Sequence, residues 1–577
     1  MKRRVVLLAA ALVLVSACTS SGTPSTLPPV AGGSTGSSSG SGQSPSIATS
    51  LPPPPGGASA RAVIEQTCAD NSKEVLVRTW RGIMPGRSGN LQIISRFPDY
   101  IGAGLTHSSP YDYTQEVPLF LYGPGFIKPG VIDEPVTLAD LAPTTGALLD
   151  FPFDAPDGTV QTEALQQDRP LPRLVVTLVW DSGGMNVLNA WPKDWLYLKS
   201  IMGEGAWFTD ASVGASPSNT PTGHATIGTG AFPAEHGMVD EYVKVNNRIE
   251  KPNANGPAFM VLPTLADLYD RAMDNEPEVG ALATLSAHLM MIGHGSQWTG
   301  GDQDIAVARE KEDAATGGDE TAVSWSLTSG MAPFYEIPEY VNELPKIDRF
   351  NDELDSMDGA RDGMWRDNSI EQFHDGFDTP ARTPFQTQLF ENVIQEEGFG
   401  ADDVPDLLYL NYKAIDVIGH AFSATGIEMS DAIRVQDQHL EIMVDFLNDT
   451  VGKGQWVLAL TADHGTNFDP AVSGAFQIDT GSIEELLNQQ FDDDDDVPLI
   501  DKFRTTEFWL NEEELRQGGH DLLDVSSFLL GLTQAETFKP GREPLPGHED
   551  DTVFAGAFPT SLMERMPCLP DADVPSP

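Results

Sequence analysis

Short, unbroken apolar runs recur along this chain, and between them lie segments whose apolar residues repeat at helical spacing. The run LVVTLVW, residues 174–180, is seven residues long and rich in β-branched side chains. That pattern predicts a strand buried on both faces of a parallel sheet. VGALATL from Val279, DLLYLNY from Asp406 and WVLALTA from Trp456 read the same way. The intervening stretches 262–273, 383–397 and 429–447 carry amphipathic helical periodicity. Strand–helix alternation of this kind predicts an α/β fold, a mostly parallel central sheet with helices on both faces. Outside this block, LQIIS and VPLFLYG within residues 86–130 read as strands, and DEPVTLADLAPTTGALLDF as a helix that follows them. After Gly465 a helix from Ile483, a strand at TEFWL and a helix over 522–530 are predicted. Residues 297–385 are rich in Asp, Gly, Pro and aromatics with little periodicity, and read as a cap or insertion.

The N-terminus and the charge change the picture. Lys2, Arg3 and Arg4 precede VVLLAAALVLV, an apolar core too short to span a bilayer, so residues 1–18 read as a signal peptide. Its end, Val15-Ser16-Ala17-Cys18, resembles a bacterial lipobox, which makes Cys18 the expected lipidation site. Residues 19–60 are Gly, Ser, Pro and Thr, a flexible tether. The expected location is outside the cytoplasm, with membrane contact only through the lipidated N-terminus. The folded part is then 61–577, a length sufficient for one large domain with insertions or for two domains. A formal charge of −51 disfavours nucleic acid or an anionic membrane as a partner held by long-range attraction. The run Asp492–Asp496 reads as a solvated loop, because adjacent carboxylates converge poorly on one ion. Cys68 and Cys568, one at each end of the folded part, are the two remaining cysteines, and in an exported protein they are expected to pair.

Candidate chemistry gathers at the predicted strand ends. Asp181 follows LVVTLVW, at the edge where open α/β sheets collect ligands. Thr220 precedes a Pro-Thr-Gly turn and a helix-like segment, which puts its hydroxyl at a helix N-terminus, although acids after strands and Thr before helices are also ordinary capping choices. Asp416 and His420 are spaced to share one face of a helical turn just past DLLYLNY. Asp463 and His464 end WVLALTA, where a strand-to-loop transition lets both side chains turn into one cleft.

With RLVVTLVWDSGG and SNTPTGHATIGTGAFPAEHGM, PDLLYLNYKAIDVIGH and WVLALTADHG taken together, the chain resembles the alkaline phosphatase superfamily. It is most similar to the type I phosphodiesterase/nucleotide pyrophosphatase branch and the related single-chain bacterial alkaline phosphatases. The resemblance implies that Thr220 is the nucleophile of a di-metal phosphoester hydrolase acting on a small-molecule phosphoester. Asp181, Asp463 and His464 would hold one divalent ion, and Asp416, His420 and His107 a second, with zinc suited to such nitrogen and carboxylate donors. Local positive charge from metal would offset the repulsion that so acidic a chain exerts on an anionic substrate. Residues 61–152, which carry His107, resemble a passage found near the C-terminus of those relatives, so the chain reads as circularly permuted, with a Cys68–Cys568 bridge closing the original path. His107 is followed by Ser, not Gly, and Glu116 stands where some relatives have a His, making it a candidate substitute ligand. His224 and His236 read as structural.

Three substrate-binding positions depart from the monoester-preferring relatives. Glu241 stands in the place of an Asn, and Ser286 and His288 in the places of a Lys and an Arg. A carboxylate facing a dianion and the loss of two cations tilt the expectation toward a diester or pyrophosphate bond. The rival readings are a phosphomonoesterase on the same site, with other residues supplying the cations, and a cell-surface ligand binder without turnover.

Overall fold

A computed structural model describes residues 59–568 apart from 103–105, 253–255, 309–324, 374–375 and 493–496. The signal peptide, Cys18, nearly all of the tether and most of the acidic run lie outside the described residues. Among the described residues no helix is long and apolar enough to cross a membrane.

Twelve strands build two sheets: β1 (Leu91–Ser95), β2 (Leu119–Tyr122), β3 (Gly130–Ile132), β4 (Leu174–Trp180), β5 (Ala206–Phe208), β6 (Val279–Leu282), β7 (Ile305–Val307), β8 (Asp406–Tyr412), β9 (Trp456–Thr461), β10 (Ile500–Phe503), β11 (Glu507–Leu510) and β12 (Phe554–Pro559). The main sheet has eight strands in the order β7-β6-β8-β4-β9-β2-β5-β3. From β7 to β9 the strands run parallel, whereas β2 is antiparallel to β9 and to β5. Four helices matter for the site: α1 (Thr220–Thr229), α2 (Arg382–Glu396), α3 (Ala414–Phe422) and α4 (Ile427–Leu447).

The apolar run of β4 divides its side chains between two cores. Val176, Leu178 and Trp180 join the core under α2 and α4, while Val175 and Val179 join the core on the opposite face. Both faces are covered, which is why the strand has no polar alternation.

Register then fixes the site. β4 lies between β8 and β9, with Trp180 opposite Tyr412 and Val179 opposite Thr461. Asp181, Lys413 and Asp463 therefore leave the same carboxyl edge on neighbouring strands, the edge that gathers ligands in open α/β sheets. Because β2 is antiparallel to β9, with Leu119 opposite Thr461, its start lies at that edge. The segment before it, with His107, is thereby carried to the same place.

TEFWL forms β11 in a second, four-stranded sheet ordered β10-β11-β1-β12, in which the N-terminal strand β1 pairs antiparallel with strands from the C-terminal part. One expectation changes. The segment from 297, read as a cap throughout, first adds β7 to the edge of the main sheet. Cys68 and Cys568 form a disulfide with a Cα–Cα distance of 5.8 Å across a sequence separation of 500.

Candidate active site

Thr220 is the first residue of α1, and Asn219 caps that helix by accepting from the Thr222 amide. Its hydroxyl therefore sits at the positive end of the helix dipole. The Lys413 ammonium donates to Thr220 Oγ1 at 3.4 Å and to Asp181 Oδ1 at 2.8 Å, and lies 2.9 Å from Asp416 Oδ2. Lys413 is fully buried, as are Asp181 and Asp416. Asp181 Oδ2 accepts from Asn411 Nδ2 at 3.0 Å and faces His288 Nε2 at 3.1 Å.

Asp416 turns its other oxygen, Oδ1, toward two imidazoles, His420 Nε2 at 3.5 Å and His107 Nε2 at 4.0 Å. His464 stacks on His107 with ring centroids 3.8 Å apart, and its Nε2 lies 3.3 Å from Asp463 Oδ2 and 3.9 Å from Asp181 Oδ1. The tautomers follow from the other ring nitrogens. His464 Nδ1 meets the Gly465 carbonyl at 2.9 Å and His107 Nδ1 the Ser218 carbonyl at 3.2 Å. A carbonyl only accepts, so each Nδ1 donates, and in the neutral ring each Nε2 presents a lone pair to the site.

Electrostatics keep these states. Burial pushes the Asp181 and Asp416 carboxyls up, but the Lys413 charge outweighs it and holds both below the ordinary carboxylate range. Burial works against the Lys413 ammonium, and Asp181, Asp416 and Asp463 outweigh it and hold the proton on. Burial, then the neighbouring His107, lowers His464, and burial likewise lowers His288, so both rings are neutral and able to ligate. Burial and the Asp181 charge raise Asp463 well above its ordinary value.

The donor set fits divalent ions. Among the described residues, Asp463 Oδ2 and His464 Nε2 are buried without a hydrogen-bond partner, an arrangement that costs free energy unless a cation takes it up. Three groups of donor atoms, each lying within 4.8 Å of one another, meet here: His107, Asp416 and His420; Asp181, Asp416 and His464; and Asp181, His224 and His288.

The sequence-derived candidates fall into three sets. Thr220, Asp181, Asp463, His464, Asp416, His420 and His107 are brought together. Of the three substrate positions, His288 faces Asp181, Ser286 is buried in the turn just before it, and the Glu241 carboxylate is engaged by Arg504 Nη2 at 2.8 Å. Two readings need correction. Glu116 is exposed, so it does not supply a ligand in place of His. His224 belongs to the site: its Nδ1 meets the Thr220 carbonyl at 2.8 Å and lies 3.4 Å from Asp463 Oδ2, while Nε2 faces Asn411 Nδ2 at 3.1 Å. His236 is structural, bonded to Thr226 and to the Met238 amide. Lys413 and Asn411 were not singled out from the sequence. The available signal was a Lys set between the apolar run DLLYLNY and AIDVIG, a position with no solvent for its charge.

The sequence model of type I phosphodiesterases/nucleotide pyrophosphatases matches residues 175–513. The chain belongs to that family. The matched stretch holds Asp181, Thr220, Asp416, His420, Asp463 and His464 and leaves out His107, which only the fold delivers. Among individual relatives of this family member, it is 22% identical over 370 residues to alkaline phosphatase PhoV of Synechococcus elongatus, covering 54% of this chain and 62% of that protein. It is 23% identical over 362 residues to a protein named calcium-transporting ATPase from Myroides odoratus, covering 55% of this chain and 65% of the relative. Each match thus spans less than two thirds of the relative's own length. The crystal structure of wild-type alkaline phosphatase PafA superposes with a TM-score of 0.46 and 18% identity, covering 63% of this chain and 76% of that one.

Proposed function

We propose that the chain is a metal-dependent hydrolase of small-molecule phosphoesters that uses Thr220 as its nucleophile. The observation that carries this reading is the placement of Thr220 Oγ1, at a helix N-terminus, 3.4 Å from a buried ammonium that also touches a carboxylate of each ligand cluster. His107, Asp416 and His420 would hold one divalent ion, and Asp181, Asp463 and His464 another, with zinc the ion suited to these donors. Such ions supply Lewis-acid charge for the attacking and leaving oxygens of an in-line phosphoryl displacement.

The chain's own groups do the rest. A Thr hydroxyl is a weak nucleophile at neutral pH. Lys413 Nζ, donating to Thr220 Oγ1, and the positive end of the α1 dipole stabilise that oxygen as it loses its proton. Attack of Oγ1 on phosphorus forms a phospho-threonine and expels the leaving alcohol, and water then cleaves the Thr220–phosphorus bond to release phosphate. His224, bonded to the Thr220 carbonyl, and Asn411, bonded to Asp181, hold the nucleophile and the acid in register.

Export belongs to the same proposal. The basic residues 2–4, the short apolar core and Cys18 support a lipid-anchored protein outside the cytoplasm, and the Cys68–Cys568 bridge suits an oxidising compartment. The pairing of β1 with β12 supports reading residues 61–152 as a permuted part of the catalytic domain.

Aryl phosphate esters assayed before and after exhaustive chelation test the reaction. Activity should vanish with the metal and return with zinc. Full turnover with metal shown absent would overturn the reading. Membrane fractionation of the Cys18→Ala protein tests the anchor, which fails if that variant partitions like the wild type.

A further inference from the structure

The positions where a Lys and an Arg would face a dianionic phosphoryl group hold Ser286 and His288, and His288 is turned onto Asp181. Two cations from other elements stand at the site instead. Arg382 opens α2, the helix that packs on the end of β8: Gln386 Oε1 accepts from the Lys413 amide at 3.2 Å, and Gln386 Nε2 donates to the Asn411 carbonyl at 2.5 Å. Arg382 lies one turn before Gln386, on the same helix face. It is 5% exposed, and among the described residues its Nε and Nη1 have no hydrogen-bond partner. Phe377 packs near its guanidinium, and the carboxylates that act on its charge are Asp378, Asp416 and Asp181.

A guanidinium does not shed its proton in a protein, so buried N–H donors without an acceptor call for an acceptor from outside. The planar fork matches two oxygens of a phosphoryl group. The second cation is Lys413, 3.4 Å from Thr220 Oγ1, close enough to reach the oxygens of a phosphoryl group joined to that atom. Glu241, whose carboxylate would repel such a group, is held by Arg504, which also pairs with Asp240.

We propose that Arg382 and Lys413 bind the non-bridging oxygens of the phosphoryl group and make the site selective for the dianion of a phosphate monoester over the monoanion of a diester. The inference rests on the Thr220 reading above and names the substrate class of that same site.

The test uses the metal-loaded full chain with p-nitrophenyl phosphate, its methyl diester, and inorganic phosphate as inhibitor. The wild type should cleave the monoester with the higher kcat/KM. Losing one charge-assisted contact, Arg382→Ala should lower monoester kcat/KM by about 10- to 100-fold and raise the inhibition constant of phosphate by a similar factor. Diester kcat/KM should fall by a clearly smaller factor, since its two non-bridging oxygens share a single negative charge. Arg382→Gln, which keeps a long polar side chain, repeats the measurement if the Ala variant does not fold. A wild type that prefers the diester, or an equal fall for both esters with unchanged phosphate inhibition, would overturn the inference and leave the Thr220 reading standing. A wild type that cleaves neither ester, or a Thr220→Ala variant that cleaves both, would overturn that reading and this one with it.

Discussion

On the His107 side of Lys413, Asp416 offers Oδ1 to two imidazoles, His420 one turn along α3 and His107 from the distant segment ahead of β2. On the Thr220 side, both oxygens of Asp181 are already engaged, by Lys413 on one and by Asn411 and His288 on the other. The first cluster is a cradle whose completeness depends on chain path. The second is a hydrogen-bonded platform that fixes one carboxylate beside Thr220 and leaves Asp463 and His464 to face an ion. The same kinds of ligand thus serve different ends: one side is built to hold metal, the other to align metal with Thr220. A residue lost from the first should cost an ion, and a residue lost from around the second should cost alignment before it costs metal.

Variants should separate the two sides. Thr220→Ala should lower kcat by about a thousandfold or more, roughly 4 kcal/mol of barrier, with the metal content of both clusters near normal. Elemental analysis beside the rate measurement decides, and turnover within about tenfold of wild type would place the nucleophile elsewhere. His420→Ala should release the ion of the His107 cluster alone and reduce turnover by about a hundredfold; loss of both ions would erase the distinction drawn here. His288→Ala, which removes a partner of Asp181 on the Thr220 side, should lower kcat by about 10- to 100-fold while the ion on that side is largely retained, read by elemental analysis beside the rate.

Cys568→Ser should leave room-temperature kcat near wild type and lower stability by about 2–5 kcal/mol, read by denaturant unfolding. If metal affinity also falls, the His107 cluster should lose it first, because that histidine rides on the stapled N-terminal segment. The smallest effect should come from Asp270, remote from both clusters. Burial, and then the neighbouring Asp302 charge, push its carboxyl up to about 7. A raised carboxyl contributes its stabilisation fully below the ordinary carboxylate range and loses it as pH climbs through about 7. Asp270→Asn should therefore gain in thermal midpoint over the wild type as pH rises from 5 to 8, and an unchanged difference across that range would remove Asp270 as the cause.

Much of this was legible in the sequence where one residue type answers one local demand. The apolar runs announced β4, β6, β8 and β9, and the spacing of Asp416 and His420 announced the face of α3 they share. Thr220 could be placed at a helix start from the Pro-Thr-Gly that follows it. His107 was another matter, since nothing local separates it from any loop histidine. Only family resemblance named it, and only the antiparallel pairing of β2 with β9 explains its arrival. Lys413 went unread because its three acceptors, Asp181, Asp416 and Thr220, come from three different segments. Arg382 was not singled out from the sequence, because only the packing of α2 on the end of β8, through Gln386, carries it toward the site. Glu116 failed as a ligand for the opposite reason: its motif position was right, but its side chain faces solvent. The second sheet could not be foreseen from patterning, because it joins an N-terminal strand to C-terminal ones, with Leu91–Ser95 and Phe554–Pro559 paired across more than 450 residues.

The bond between Cys68 and Cys568 turns nearly the whole folded chain into a covalent ring. A single cut by a protease anywhere between those two positions opens the ring without releasing a fragment, so every strand and every site residue stays on one molecule. The residues ahead of Cys68 lie outside the ring, and a cut there would leave the whole ring intact.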